Sequence, residues 1–457
     1  MGTRMGHLIT DTPSVIIATG DLLRDVHVLS SVTRLNPESP NVVIEAGSPT
    51  VSAGGVGVGC STLLNLGAQV TLASVWGTED QNIAQVGPTL EQINLAPGSS
   101  VPSKTRYVAD HTVLARVDTD TRDGAGVFGV LPGAVEKFVA ACNQAVAVLV
   151  SDYGLDSTLA IPEVYRNIAR LASTGIVVWD FHPKSKAIAP PGALLKFNEP
   201  DFLQFASKHV VADTLEGTAR ELLALHEWRA IMITEGPSGA LFITPDVVER
   251  LTTYPLRLGS AVGAGDILSA LWTHFAVEST IHESAARSVR VASLALAARE
   301  NALDDLPGDV SIEDLATAIR ATGGTLVATA GCFDLLHAGH VDLLRAARQL
   351  GDALVVLVNS DSSVSRIKGS QRPLLKQADR IDLLRELRCV NAVGIFSEET
   401  PEASLLRLRP DMYVKGGDYK MSTLPEAITL IENGIDVRII PRIRDVSTTL
   451  IVEGLLR

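Results

Sequence analysis

Aromatic residues make up only 4% of this 457-residue chain. There are four cysteines, Cys60, Cys142, Cys332 and Cys389, and none forms a C-x-x-C pair. That scarcity argues against a disulfide framework or a cysteine zinc site and makes a reducing cytoplasm the expected setting. Long apolar runs are missing too. Ala145-Val-Ala-Val-Leu-Val150 is among the longest and is far too short to cross a bilayer. Met1 to Asp11 shows no basic segment followed by an apolar core, so no signal peptide is expected. The chain also lacks a basic excess. Its net charge is −13: residues 1–320 hold 22 Lys and Arg against 35 Asp and Glu, whereas residues 321–457 hold 17 against 17. Neither part has the footprint of a nucleic-acid or membrane-surface binder, which leaves small molecules as the expected partners.

What is abundant is aliphatic. Hydrophobic residues reach 46%, enough for about two to three domains of α/β layers. Apolar strand-like runs alternate with amphipathic helical stretches almost throughout, which points to parallel sheets covered by helices. The pattern breaks at Asp304-Asp-Leu-Pro-Gly-Asp309, Ser311-Ile-Glu-Asp314 offers a helix start, and Gly323-Gly324 precedes a new strand. The expected domains are 11–320 and 325–457. Strands are expected in the second at 325–330, 354–359, 391–396, 411–415 and 436–440. Helices are expected at 338–350, 376–388, 402–408, 423–433 and 448–456.

One segment carries most of the chemistry. Thr325-Leu-Val-Ala-Thr329 reads as a buried strand and Val341 to Leu350 as a helix. Between them lies Ala330-Gly-Cys-Phe-Asp-Leu-Leu-His-Ala-Gly-His340. His337 and His340, three apart, share one face where the helix begins. Unpaired backbone N–H groups and the positive end of the helix dipole suit that place to a phosphate chain. Two imidazoles there can stabilise charge developing on a phosphate under attack. Asn359-Ser-Asp361 and Lys415-Gly-Gly-Asp418 also follow expected strands, so the three segments should meet in one crevice. Arg366-Ile-Lys-Gly369 and Arg372-Pro373 read as a short basic loop, and Ser447-Thr-Thr449 as a helix opening.

These residues resemble the HxGH nucleotidyltransferases, whose G-x-F-D-x-x-H-x-G-H is matched by Gly331, Phe333, Asp334, His337, Gly339 and His340. Asn359, Asp361, Lys368, Arg372, Lys415 to Asp418 (including Gly416 and Gly417), Ser447, Thr448 and Thr449 make the segment most similar to the adenylyltransferase domain of the bifunctional heptose 7-phosphate kinase/heptose 1-phosphate adenylyltransferases. The resemblance implies a Rossmann-like domain in which a sugar 1-phosphate attacks the α-phosphorus of ATP and pyrophosphate leaves. It implies that His337, His340 and Lys368 act on the phosphates and that the other matched residues bind nucleotide or phosphate. Phe333 is expected to pack beneath the site, Asp334 to orient the loop or a histidine, and Cys332 to fill space.

A second phosphate-transfer pattern lies upstream. Glycines in Ala261-Val-Gly-Ala-Gly-Asp266 precede a helix, and Gly263, Ala264 and Gly265 can form an anion cradle. Asp266 is placed either as a base toward a hydroxyl or simply as a helix cap. Around it the chain resembles the ribokinase-like sugar kinases, and specifically the kinase half of the same bifunctional family. The similar segments are Gly20-Asp21, Asp25, Arg34 to Pro40, Gly54-Gly55, Lys104, Arg106, Arg116, Asp118, Ser151-Asp-Tyr153 and Asn198-Glu-Pro-Asp201. The resemblance implies that Asp21, Asp25, Gly54, Gly55, Lys104 and Arg106 bind sugar. It ties Asn198 and Asp201 to Mg²⁺ indirectly, with Asp in place of the family's Glu, and implies a homodimer through this half. Asp180-Phe-His-Pro-Lys184 resembles the family's D-x-N-x-R loop. Three departures stand out: Val58 replaces a sugar-binding Asn, Leu155 a Lys, and Ser260 an Asp.

The expected architecture is thus α/β, a ribokinase-like domain followed by a Rossmann-like HxGH domain. The expected function is ADP-heptose synthesis with ATP as substrate and Mg²⁺ as cofactor. Two alternatives stay open. The kinase half either accepts an altered sugar phosphate or survives only for binding and dimerisation, and the second domain has a CDP-glycerol-type cytidylyltransferase as its rival.

Overall fold

The computed structural model describes residues 15–37, 41–84, 87, 90–109, 112–120, 129–209, 214–256, 262–304, 306–417 and 421–441. The chain divides into two compact units, residues 1–252 with 261–289, and residues 253–260 with 290–457.

The first unit contains β1 (Val15–Gly20), β2 (Leu22–Leu35), β3 (Val42–Gly55), β4 (Gln69–Ser74), β5 (Glu91–Asn94), β6 (Ser103–Ala109), β7 (Thr112–Thr119), β8 (Ala145–Ser151), β9 (Ile176–Asp180), β10 (Leu194–Asn198), β11 (Ala230–Thr234), β12 (Ala240–Ile243) and β13 (Val248–Leu251). Its main sheet runs β13-β12-β11-β10-β9-β8-β1-β4-β5, parallel except at the β11-β12 and β12-β13 pairs. Near-continuous aliphatic strands such as β8 are what a sheet covered on both faces requires. A smaller sheet, β3-β2-β6-β7, stands apart from it and is mostly antiparallel. Its strands keep Leu29, Leu35 and Val51 exposed. Trp76, Trp179, Trp228 and Trp272 are all buried fillers.

The second unit holds β14 (Leu326–Gly331), β15 (Ala353–Asn359), β16 (Ala392–Phe396), β17 (Met412–Gly416) and β18 (Asp436–Ile440). They form one parallel sheet in the order β16-β15-β14-β17-β18. The order reverses at β14, so the loop after β14 opens at the switch point where ligands of open α/β sheets bind.

Two expectations need adjusting. The division into units falls earlier than the break at 304–324, and helix Ile312–Ala321 sits in the second unit. Its apolar face, Leu315, Ala318 and Ile319, is fully buried. Arg320 donates to the carbonyls of Leu408 and Arg409 at 3.0 and 3.3 Å. A Cβ on Gly394 of β16 would come within 2.6 Å of the Ile312 side-chain tip, so the glycine eases the close approach of this helix. The second adjustment concerns the basic loop. Arg366 to Lys368 form the last turn of helix Asp361–Lys368 instead. Ser360 starts that helix by accepting the N–H of Ser363 at 3.3 Å. The helix expected at 448–456 lies outside the described residues.

Candidate active sites

In the second unit the chain leaves β14 through a sharp turn. Phe333 takes a left-handed backbone (φ 46°), and its buried ring lies against Gly331, where a Cβ would stand 3.2 Å away. The turn delivers His337 to the N-cap of helix Ala338–Arg348 with extended backbone and no side-chain cap. Its ring stacks on His340, with centroids 3.9 Å apart and planes 26° apart. Phe333 supports the pair, its centroid 5.2 Å from that of His340. Burial, reinforced by His337 and Lys368, pushes the His340 imidazole down to about 4. At neutral pH it therefore presents one N–H rather than a full charge. Lys368 itself is exposed.

The remaining residues of this site organise it. Asp334 is enclosed and accepts Arg372 Nη1 at 2.6 Å and the Leu374 N–H at 2.5 Å. The carboxylate that was grouped with the nucleotide binders thus fixes the 372–375 loop. Asn359 at the end of β15 donates to Ser363 Oγ at 3.0 Å and accepts from Cys332 Sγ at 3.6 Å, which leaves Cys332 a packing thiol. Lys415 at the end of β17 donates to the Ala330 carbonyl at 3.2 Å, and burial lowers its pKa. A Cβ on Gly416 would meet Leu343 at 2.5 Å, so that glycine allows β17 to approach the histidine helix. Gly417, at φ 115°, donates to the Ile440 carbonyl at 3.0 Å. Asp418, Ser447, Thr448 and Thr449 lie outside the described residues.

Sequence reasoning missed Arg380. It is fully buried and donates to the carbonyls of Leu375 (3.2 Å), Asn359 (2.9 Å) and Cys332, and to Asp361 Oδ1 (2.8 Å). One guanidinium thereby ties together the loops after β14 and β15 and the 372–375 segment. The signal was a charged residue sharing a helical face with buried Leu384. Arg380→Met should cost about 1–3 kcal/mol for each acceptor it leaves dry. Thermal unfolding of the variant should show the loss. An unchanged melting curve would remove Arg380 from this role.

In the first unit the matched residues converge at the carboxyl ends of β1, β8, β9 and β10. Gly263 caps helix Ala264–Glu278 with φ 75°, and Asp266 lies buried in its first turn. The Tyr153 hydroxyl lies 2.8 Å from both Asp266 oxygens. Burial, with Asp180 adding to it, raises the Asp266 carboxyl to about 7, while Tyr153, Lys196 and Lys104 pull the other way. Lys104 Nζ stands 3.9 Å above the Tyr153 ring centre. Arg106 pairs with Asp25 at 2.9 Å, and a Cβ on Gly54 would meet that Asp25 at 2.6 Å. Asp21 accepts the N–H groups of Tyr153 (2.8 Å) and Leu155 (3.2 Å) and pairs with Ser157. Gly55, at φ 60°, leaves no room for a Cβ beside the Asp21 carbonyl, 2.4 Å away. Val58 is half-buried in the helix that follows. Ser260 lies outside the described residues.

Asn198 and Asp201 form the capped start of helix Glu199–Ala206. Asn198 accepts the Asp201 N–H at 2.8 Å and donates to its carboxylate at 2.6 Å. Tyr153 and Asp180, given above only as parts of similar segments without a role, lie in this cluster, and so does Lys196, which sequence reasoning missed. For Lys196 the signal was a lysine inside the apolar strand Leu194-Leu-Lys-Phe197, where a cation needs a partner.

A family model described as cytidylyltransferase-like matches residues 328–454. The whole chain is 36% identical over 459 residues to the bifunctional protein HldE of Streptomyces coelicolor, covering 96% of each. It is 32% identical over 479 residues to bifunctional protein HldE of Trichlorobacter lovleyi, covering 96% of this chain and 95% of that one. The chain belongs to the HldE family. Among solved structures, the tetrameric inhibited form of phosphofructokinase-2 from Escherichia coli is similar over 62% of this chain and 94% of that one, with a TM-score of 0.49 and 13% identity. One residue cluster in each unit suits the bifunctional character that the names of these relatives state. The cytidylyltransferase-like match takes in the β14 turn and both stacked histidines.

Proposed function

We propose that this protein makes an ADP-heptose. Its first unit transfers the γ-phosphate of ATP to the anomeric hydroxyl of a heptose phosphate. Its second unit transfers AMP from ATP to a heptose 1-phosphate and releases pyrophosphate. The observation that carries this reading is the similarity to bifunctional HldE proteins over 96% of the chain; the stacked histidines and the Tyr153–Asp266 contact support it. We keep a kinase domain over the first unit and a nucleotidyltransferase domain over 325–457, with helix Ile312–Ala321 packed in the second unit rather than closing the 11–320 domain.

In the first unit Asp266 takes the hydroxyl proton while the N–H groups at Gly263 to Gly265 receive phosphate oxygens. Asp21, Asp25, Gly54, Gly55, Lys104 and Arg106 line the sugar side. Among the described residues no group of three or more His, Cys, Asp or Glu could hold a metal. Mg²⁺ keeps several waters and needs only one or two carboxylates beside the phosphates. Asn198 and Asp201 would hold it through water, and when bound it neutralises phosphate charge. In the second unit no covalent enzyme intermediate is needed. His337 and His340 grip the triphosphate, Lys368, Arg372 and Lys415 supply cations for phosphates, and Asn359 and Asp361 shape the nucleotide side.

No helix among the described residues is long and apolar enough to cross a membrane. A cytoplasmic enzyme that dimerises through its first unit fits the exposed Leu29, Leu35 and Val51 of the small sheet.

The test is mass spectrometry of products after incubation with Mg²⁺ and either ATP or CTP. Heptose 7-phosphate with ATP should give a heptose bisphosphate and ADP. Heptose 1-phosphate with ATP should give ADP-heptose and pyrophosphate. Preference for CTP would reject adenylyl transfer. Intact sugar binding without ADP formation would favour the second reading, a non-catalytic first unit, which Val58 and Leu155 motivate.

A further inference from the structure

Lys196 lies inside β10 between Leu195 and Phe197, both fully buried. Its side chain is 7% exposed, and Nζ donates to both oxygens of Asp180 at 2.8 and 2.9 Å. Ser269 Oγ holds the same carboxylate at 3.1 Å. Packing alone calls for none of this, since apolar side chains replace a buried ion pair at little cost. The place where the ammonium ends is the informative part. A Cβ on Gly265 would fall 2.5 Å from Nζ and 3.7 Å from Asp180. Gly265 is the second residue of helix Ala264–Glu278, whose leading N–H groups have no intrahelical acceptor. A buried cation therefore stands directly against the anion cradle, and its charge acts on Asp266.

We propose that Lys196 is a catalytic residue of phosphoryl transfer, its ammonium leaving Asp180 to neutralise the phosphoryl group in flight. This rests on reading the first unit as a kinase and adds a residue to it. The sugar oxygen bonds to the γ-phosphorus, the bond from that phosphorus to the β–γ bridging oxygen breaks, the hydroxyl proton passes to Asp266, and ADP leaves. Lys196 keeps its protons throughout. Between turnovers Asp180 neutralises it, because an unpaired buried ammonium is costly.

The test uses the full chain, reading ADP for the kinase and pyrophosphate for the other site. Lys196→Met should lower ADP formation by about 10²–10³-fold, the usual effect of losing one preorganised group. The loss should fall on kcat more than on the KM for sugar phosphate, pyrophosphate release should not change, and Lys196→Arg should recover part of the rate. Because Lys196→Met strands the Asp180 carboxylate, Lys196→Met/Asp180→Asn removes both charges. The double variant should bind sugar phosphate normally by calorimetry yet stay slow. Recovery of the rate in the double variant, or an unaffected Lys196→Met, would overturn the proposal and leave the pair structural. Wild-type protein that forms no ADP with any acceptor, water included, would overturn the kinase reading itself, and this proposal with it.

Discussion

Asp266→Asn should slow phosphoryl transfer by about 10²–10⁴-fold, the range that a lost general base commands. The substitution keeps the shape of the side chain and a hydrogen bond with Tyr153, so the helix start should persist. What disappears is the capacity to take a proton. The pH profile gives a second signature. Burial holds the Asp266 carboxyl at about 7, so below that pH the base is increasingly protonated and silent. The kinase kcat/KM should therefore rise with pH through an acidic limb near 7 and level off above it. Asp152 is also held at about 7, first by burial and then by Asp21. A limb that survives in the residual rate of Asp266→Asn belongs to Asp152 instead. Adenylyl transfer should keep its full rate in the variant. A shared loss of both activities would sink the assignment of two independent sites.

His340→Ala should remove roughly 3–4 kcal/mol of transition-state stabilisation from adenylyl transfer, as losing one preorganised donor does. The ring is stacked on His337 and backed by Phe333, so a phosphate bound there would meet a group that is already ordered. The loss should appear in kcat, read as pyrophosphate release with heptose 1-phosphate, while ADP formation at the other site stays intact. His340→Asn, which keeps an N–H near the same place, should lose less. A wild-type rate in the alanine variant would mean that the stacked pair is only packing. The low pKa of His340 also sets a sign: in the free enzyme the ring stays neutral as pH falls from 8 toward 5, so it should add no limb to kcat/KM over that range.

The sequence made the second domain's strands visible because each is a short aliphatic run closed by a glycine or polar turn, as Leu326–Gly331 and Ala353–Asn359 show. The histidine turn was visible because its residues are consecutive. The ties across the site were not. Arg380 is marked locally only as a charge on a buried helical face; its acceptors on Cys332 and Asn359, 48 and 21 residues away, are not announced by anything near it. Tyr153 and Asp266 are 113 residues apart, and only the order of the sheet brings β8 and the Ala264–Glu278 helix together. Arg366 to Gly369 read as loop from basic residues beside a glycine, and no start for a helix at Ser360 was recognised, so the Asp361–Lys368 helix was not anticipated. Helix Ile312–Ala321 had a clear start at Ser311, but its partner was invisible, because the groove beside Gly394 exists only after folding.

β14 sits mid-sheet, hydrogen-bonded along both edges by β15 and β17. Fraying, a nick or an inserted loop at the rim, on β16 or β18, would uncover neither edge of the strand that launches the histidines. Peripheral segments open at small cost and central ones only with the whole unit. A lesion at either rim therefore leaves the strand that carries the histidine turn held along both of its edges.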